Sequence, residues 1–266
     1  MRWAAWRPVL AAAAIVMPST GSAQALSPFC SDRPDRVVTP CVIEGGAVQL
    51  EIGAVDWART RDGADRTDET LIADTVLRFG LGDEFDLRVG LSPLVRVRDV
   101  MGGRIEQHEG VGDLTVGLRR RIVDGGDDGV SFGLQLGATL PTGGDRLGQG
   151  DWSVEVVAPV QIPLGKILTL GLTPTVAAAA DEDGDGRHFA WGGVAGIEAA
   201  LGERVAVGTE LYAIRNEEAG GATEATADAY ATWRLSDGVQ LDVAAYVGLN
   251  ADTPDIELLS GITWRL

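Results

Sequence analysis

From Val48 to Leu266 apolar and polar residues alternate in short segments separated by Gly- and Asp-rich breaks. In the stretch 130–140, Val130, Phe132, Leu134, Leu136, Ala138 and Leu140 share one parity. The stretch 239–249 repeats the pattern. Successive side chains point to opposite faces of a strand, so each segment predicts a strand with one apolar face and one polar or small face. Such an apolar face either covers a soluble core or meets lipid.

The count of segments separates these cases. Twelve strands are predicted, at 47–57, 69–81, 84–98, 111–123, 129–141, 151–163, 166–178, 188–200, 204–215, 224–235, 238–249 and 256–266. Each approaches the roughly 9–11 residues that a tilted strand needs to cross a bilayer. The breaks alternate in length. Gly82-Asp83, residues 124–128, Leu164-Gly165, residues 201–203 and Ser236-Asp237 are tight. Residues 58–68, 99–110, 142–150, 179–187, 216–223 and 250–255 are mostly longer, acidic loops. An even count with short turns at one rim and long loops at the other predicts a 12-stranded antiparallel transmembrane β-barrel of the outer-membrane type, residues 47–266. A soluble barrel of twelve strands would enclose an apolar volume too wide for side chains to fill, since about eight strands already make a filled interior. Trp57, Trp152 and Trp191 fall at the long-loop ends and Trp233 and Trp264 near the short-turn ends. Aromatics at both rims are expected at the two membrane interfaces.

The chain ahead of the barrel reads as an export signal and a short segment. Arg2 and Arg7 precede an apolar run from Val9 to Met17, and small residues follow at Gly21-Ser22-Ala23. This predicts a signal peptide over 1–23, too short in its apolar part to span a bilayer. Residues 24–46 are expected at the periplasmic rim, with Cys30 and Cys41 paired in an oxidising compartment. They show neither the CxxC spacing nor the nearby His of a redox or metal pair. No apolar run of the exported chain is long enough for a transmembrane helix. The formal charge of −17 argues against nucleic acid as a partner. It leaves outer-membrane lipid and lipopolysaccharide, small solutes and the barrel-assembly machinery as the expected partners, with no cofactor.

With the apolar faces on lipid, the opposite parity lines the interior. The lumen-lining candidates are Arg78, Arg88, Arg119, Arg121, Glu155, Glu210, Asp228, Gln240 and Asp242, interleaved with Gly. Two readings follow. Opposed charges can line a polar passage and set its selectivity, or they can fill a closed barrel as an ion-pair network. Twelve strands lie between filled eight-stranded and open sixteen-stranded barrels, so a narrow or partly plugged channel is expected.

Other groupings carry less chemistry. Asp181, Asp183 and Asp185 alternate as in part of a calcium loop, but the bidentate Glu at the twelfth position and the flanking helices are missing. His108 and His188 both fall in or beside outer loops, Ser92 with His108 makes no convincing pair, and there is no G-x-S-x-G. No catalytic residue is assigned. A barrel enzyme acting on lipids is the weakest alternative, behind a closed structural or surface-interaction barrel.

An ordered series of short motifs carries a family resemblance: Leu77-Arg78-Phe79-Gly80-Leu81, Gly110-Val111-Gly112-Asp113, Leu140-Pro141-Thr142-Gly143, Glu210, Gln240-Leu241-Asp242, Gly248-Leu249 and Pro254-Asp255. Over residues 69–266 the chain resembles the transporter-type outer-membrane proteins named after the MetA pathway of phenol degradation. The resemblance implies a barrel that admits small compounds, aromatic or hydrophobic ones among them. It places Glu210, Gln240 and Asp242 at lumen-facing positions and brings no catalytic residues. One departure is the last residue: outer-membrane barrels usually end on an aromatic that the assembly machinery reads, and this chain ends Trp264-Arg265-Leu266.

Overall fold

The computed structural model describes residues 29–266, apart from Asp127, Asp145, Glu182 and Ala219. The signal assigned to residues 1–23 lies outside them. Fifteen strand segments run antiparallel: β1 (Val48–Asp62), β2 (Asp65–Gly80), β3 (Phe85–Leu91), β4 (Leu94–Met101), β5 (Arg104–Gly110), β6 (Leu114–Val123), β7 (Ser131–Leu140), β8 (Ser153–Val157), β9 (Val160–Pro163), β10 (Leu168–Ala180), β11 (Arg187–Ala200), β12 (Val205–Asn216), β13 (Thr223–Ser236), β14 (Val239–Gly248) and β15 (Ile256–Arg265). They form twelve staves, because β3 continues into β4, β5 into β6 and β8 into β9. The first stave pairs with the last, Leu50 opposite Trp264 and Ile52 opposite Ile262, which closes the barrel.

Three staves are interrupted where local chemistry forbids an unbroken ladder. Pro93 separates β3 from β4 and Pro159 separates β8 from β9. Proline has no N–H to give a neighbouring strand, so these staves break and resume. The third break, Val111 to Asp113, lies between β5 and β6.

Two of the expected outer loops are ladders instead. Residues 58–68 complete β1 and β2 up to a tight turn at Gly63-Ala64, and 99–110 complete β4 and β5 up to Gly102-Gly103. Both turn glycines of the second hairpin have positive φ, 57° and 81°, the geometry of a two-residue hairpin turn. The charges that mark these stretches as loops in the sequence are cross-strand partners. Asp68 meets Arg59 at 2.7 Å and Arg98 at 3.6 Å, and Arg96 meets Glu109 at 3.2 Å. Opposite charges facing each other across a ladder support it in water as apolar pairs do in lipid.

The barrel is apolar outside and polar inside. Leu136, Leu211 and Val243 are 56%, 61% and 55% exposed, whereas Gln49, Arg78, Arg119, Thr226 and Thr263 are fully buried. This inverts the distribution of a water-soluble fold. Trp152, Trp191, Trp233 and Trp264 stand outward at the two rims, and Trp57 lies beneath the Arg59 guanidinium, 4.7 Å away. The arrangement puts an amphipathic ring at each interface. Arginine at an outward position near mid-stave, as in Leu211→Arg, is expected to destabilise the barrel by about 2–4 kcal/mol in urea titrations in lipid vesicles.

The alternation changes phase near the outer end. The β1–β15 register shifts between Gly53 and Val55, and Ala73 on β2 has a φ of 57°. Beyond this irregularity, Leu71 lines the interior with Asp56, and Val95 and Val97 are buried. A bulge offsets strand parity by one residue, and here it carries apolar side chains inward above the membrane belt.

Candidate functional site: a plugged lumen

The segment expected at the periplasmic rim runs into the barrel. It enters at the short-turn end, where the Phe29 ring lies 5.2 Å from the Arg234 guanidinium and 5.1 Å from that of Arg265. It climbs to Arg36, turns back through Val37 and Thr39, and reaches β1 at the same rim. A Cys30–Cys41 disulfide closes the loop, with a Cα–Cα distance of 5.7 Å.

Charge complementarity explains the placement. Arg78, Arg88 and Arg119 project inward from β2, β3 and β6, and Asp32 of the plug is their shared counter-ion. Asp32 accepts from Arg119 Nη2 at 2.6 Å and pairs with Arg88, while Arg78 Nη1 lies 3.8 Å away. The opposite wall is acidic, and the plug answers it with arginines. Arg33 meets Asp56 at 3.0 Å and Asp242 at 3.5 Å. Arg36 meets Glu257 at 2.7 Å and Asp228 at 3.5 Å, and its guanidinium stacks between the rings of Tyr212 and Tyr246. Buried charges persist when they are paired and hydrogen-bonded, and the plug supplies the ion-pair partners of Arg88, Arg119, Asp228 and Asp242.

Backbone contacts complete the seat. Glu210 accepts from the N–H groups of Arg36 and Val37 at 2.9 and 3.0 Å, and Thr173 Oγ1 accepts from Val38 N at 3.0 Å. Arg78 donates to the carbonyls of both cysteines, Cys30 at 2.7 Å and Cys41 at 3.1 Å, and also holds Glu51 and Asp86. Inner-face glycines make the room. A Cβ on Gly171 would stand 2.4 Å from a Val37 methyl, and one on Gly80 would overlap the Glu44 carbonyl.

The lumen candidates therefore divide. Arg78, Arg88, Arg119, Glu210, Asp228 and Asp242 hold the plug. Glu155 and Gln240 line cavities beside it. Arg121 sits at the short-turn rim, donating to the Asp83 carbonyl at 2.8 Å and pairing with Asp124 at 2.9 Å. Sequence reasoning missed Asp32, Arg33 and Arg36. The available signal was the unbalanced inner wall, basic on β2, β3 and β6 and acidic on β1 and β12–β15, facing the alternating charges of residues 32–36.

Cavities remain on either side of the plug. One of about 500 Å³ lies toward the outer end, with an apolar patch of Val157, Ala177, Ala179, Ala190, Val194 and Ile214, polar groups that include Gln135, Thr173, Thr175 and Tyr212, and the charged Arg36, Glu155 and Glu224. It shares Gln149, Ala179, Asn216 and Glu224 with a 730 Å³ vestibule at the mouth. On the short-turn side, cavities of about 370 and 480 Å³ share Gln161, Glu198 and Ala200. The Val37–Thr39 limb, bonded to Glu210, Thr173 and Gln161, separates the two sets.

The other sequence candidates are arranged differently. Ser92 Oγ donates to Asp74 at 2.5 Å, and His108 sits on β5 opposite Val97. Asp183 accepts from the backbone of Asp185 at 3.0 Å, whereas Asp181 turns to His188, so the three alternating aspartates do not gather round one point.

A closed twelve-stave wall, an apolar outer belt and a polar lumen define an outer-membrane β-barrel. The chain belongs to the family described as putative MetA-pathway of phenol degradation, whose sequence profile matches residues 31–266. That match includes the plug, which the resemblance over 69–266 did not reach. The fold is shared with the COG4313 outer membrane channel from Pseudomonas putida F1, at a TM-score of 0.71 and 15% identity, covering 89% of this chain and 100% of that one. The NanC porin is similar at a TM-score of 0.55 and 8% identity, covering 83% of this chain and 100% of its own. The KdgM porin follows at 0.50 and 9%, with 81% and 98% covered. No curated protein matches the chain in sequence.

Proposed function

We propose that this protein is an outer-membrane channel for small solutes with an apolar body and a polar handle, and that its plug governs passage. One observation carries the reading. Cavities on both sides of the plug are interrupted at one limb, and the outer cavity sets an apolar patch of Val157, Ala177, Ala179, Ala190, Val194 and Ile214 beside hydroxyl, amide and charged groups, Arg36, Glu155 and Glu224 among them. Such a mixed lining suits a compact compound with an apolar body, which the patch covers, and a polar handle, which the hydroxyl, amide and charged groups receive. The family assignment and the channel fold agree with it. Transport of this kind needs no catalytic step, and the reading assigns none.

A closed structural barrel is the second reading, favoured by the number of plug anchors. Uptake into liposomes separates them. The purified chain is expected to admit small phenols and benzoates faster than protein-free liposomes. Ala177 and Ala190 face each other across the β10–β11 ladder on the cavity wall. Ala177→Trp with Ala190→Trp is expected to return uptake to the protein-free level while heat-modifiable mobility still reports a folded barrel. No uptake of any solute by the intact chain would remove the channel reading.

A further inference from the structure

We infer that the outer mouth carries a binding site for one first-row divalent transition metal ion, formed by Asp181, His188 and Glu218. The three residues come from different places: the β10–β11 loop, the first turn-proximal residues of β11, and the β12–β13 loop. Among the described residues they are the group whose ligand atoms all lie within 4.8 Å of one another. His188 Nδ1 is 2.9 Å from Asp181 Oδ1 and 3.6 Å from Glu218 Oε2.

The ring's orientation is set from behind. Glu224 accepts from Asn216 Nδ2 at 3.3 Å, which turns the Asn216 carbonyl oxygen toward the imidazole. That oxygen lies 3.2 Å from His188 Nε2 and must accept its N–H. The Nε2 proton is thereby assigned, and Nδ1 faces two carboxylates. A neutral ring would aim a lone pair at two anions, so this arrangement calls for a cation at Nδ1. A metal-bound histidine is held in this way, its second ring nitrogen donating to an oxygen acceptor that fixes tautomer and direction. Ligand atoms about 2.0–2.2 Å from a tetrahedral zinc ion stand roughly 3.4 Å apart. The two distances at Nδ1 bracket that value.

The donor set selects the ion. One imidazole with two carboxylates suits Zn²⁺, Ni²⁺, Co²⁺ or Fe²⁺, whereas Ca²⁺ prefers an all-oxygen shell. Three protein ligands leave coordination positions open, and all three line the 730 Å³ vestibule. A bound ion would tie the two loops together across the mouth and present those positions to whatever enters.

Calorimetry with Zn²⁺ on the chelator-treated, detergent-solubilised full chain tests this, with Co²⁺ absorption as a second readout. One equivalent is expected to bind, with Ca²⁺ giving no comparable heat. His188→Ala and Glu218→Gln are each expected to abolish the binding and the Co²⁺ bands. His108→Ala and the pair Asp183→Asn, Asp185→Asn should leave both intact. Heat-modifiable mobility confirms that each variant is a folded barrel, and the titration does not depend on transport. Absence of Zn²⁺ binding, or binding that survives His188→Ala, would overturn the site, the first outcome meaning that a proton alone occupies the Nδ1 position.

Discussion

Excising the plug is expected to raise single-channel conductance by about threefold or more, since twelve strands enclose more space than a filled eight-stranded barrel and, among the described residues, the plug is the segment that fills it. The excision is geometrically simple. The Cα atoms of Cys30 and Cys41 are 5.7 Å apart, so residues 31–40 can be replaced by a single Gly, with both cysteines changed to Ser. No strand is shortened and the entry to β1 is kept. The current is also expected to favour cations. Excision exposes Asp56, Glu210, Asp228, Asp242 and Glu257 on one side and Arg88 and Arg119 on the other, while Arg78 keeps Glu51 and Asp86. The acidic groups are in excess, and their effect should weaken as salt screens them. Planar-bilayer recordings at two salt concentrations measure both quantities. An unchanged conductance would mean that solutes do not pass through the space the plug fills.

The intact plug need not leave the barrel for solutes to cross. Its contacts are unequal around the ring. Asp32 and Arg36 each engage two or more charged groups, whereas the descending limb is held by Glu210, Thr173 and Gln161 through backbone and hydroxyl groups. Yielding of that limb alone would join the cavities on its two sides.

Much of the barrel was legible in the sequence, because strand parity is a local signal and lipid enforces it on nearly every stave. The twelve staves, the alternating rims and the five tryptophans all follow from it. What was not legible depends on residues far apart in the chain. The hairpins above the membrane look like loops until Asp68 is seen between Arg59 and Arg98. The inward Val95 and Val97 need the change of parity at Ser92-Pro93 on their own stave, which continues the irregularity around Gly53 and Ala73 on the two staves before it. The plug has no periodicity, since it is neither strand nor helix, and its position is written in charge. The Asp181 carboxylate was picked out for the wrong company: its neighbours in sequence are Asp183 and Asp185, its neighbours in space His188 and Glu218.

Arg78 and Arg121 appear alike in the sequence, both inward-parity arginines near the short-turn rim, and they should behave very differently. Arg78 is fully buried and bridges Glu51, Asp86 and the two cysteine carbonyls. Its removal leaves two buried carboxylates without their counter-ion, while the Cys30 and Cys41 carbonyls keep Gln49 and Arg119 as donors. Arg78→Ala is therefore expected to cost about 3–5 kcal/mol, the range for breaking one side of a buried ion pair. Arg121 is half-buried at the rim, and its Asp124 partner is largely in water. Arg121→Ala should stay within about 0.5 kcal/mol of the parent, as exposed pairs usually do. Urea midpoints in lipid vesicles compare them. Arg78→Lys keeps the charge but cannot span four acceptors with one planar fork, so it should recover only part of the loss. Adding Glu51→Gln and Asp86→Asn to Arg78→Ala removes the stranded charges and should recover much of the remainder. If the triple variant were no more stable than Arg78→Ala, the cost would lie in the two cysteine carbonyls, and Arg78 would act on the plug more than on the wall.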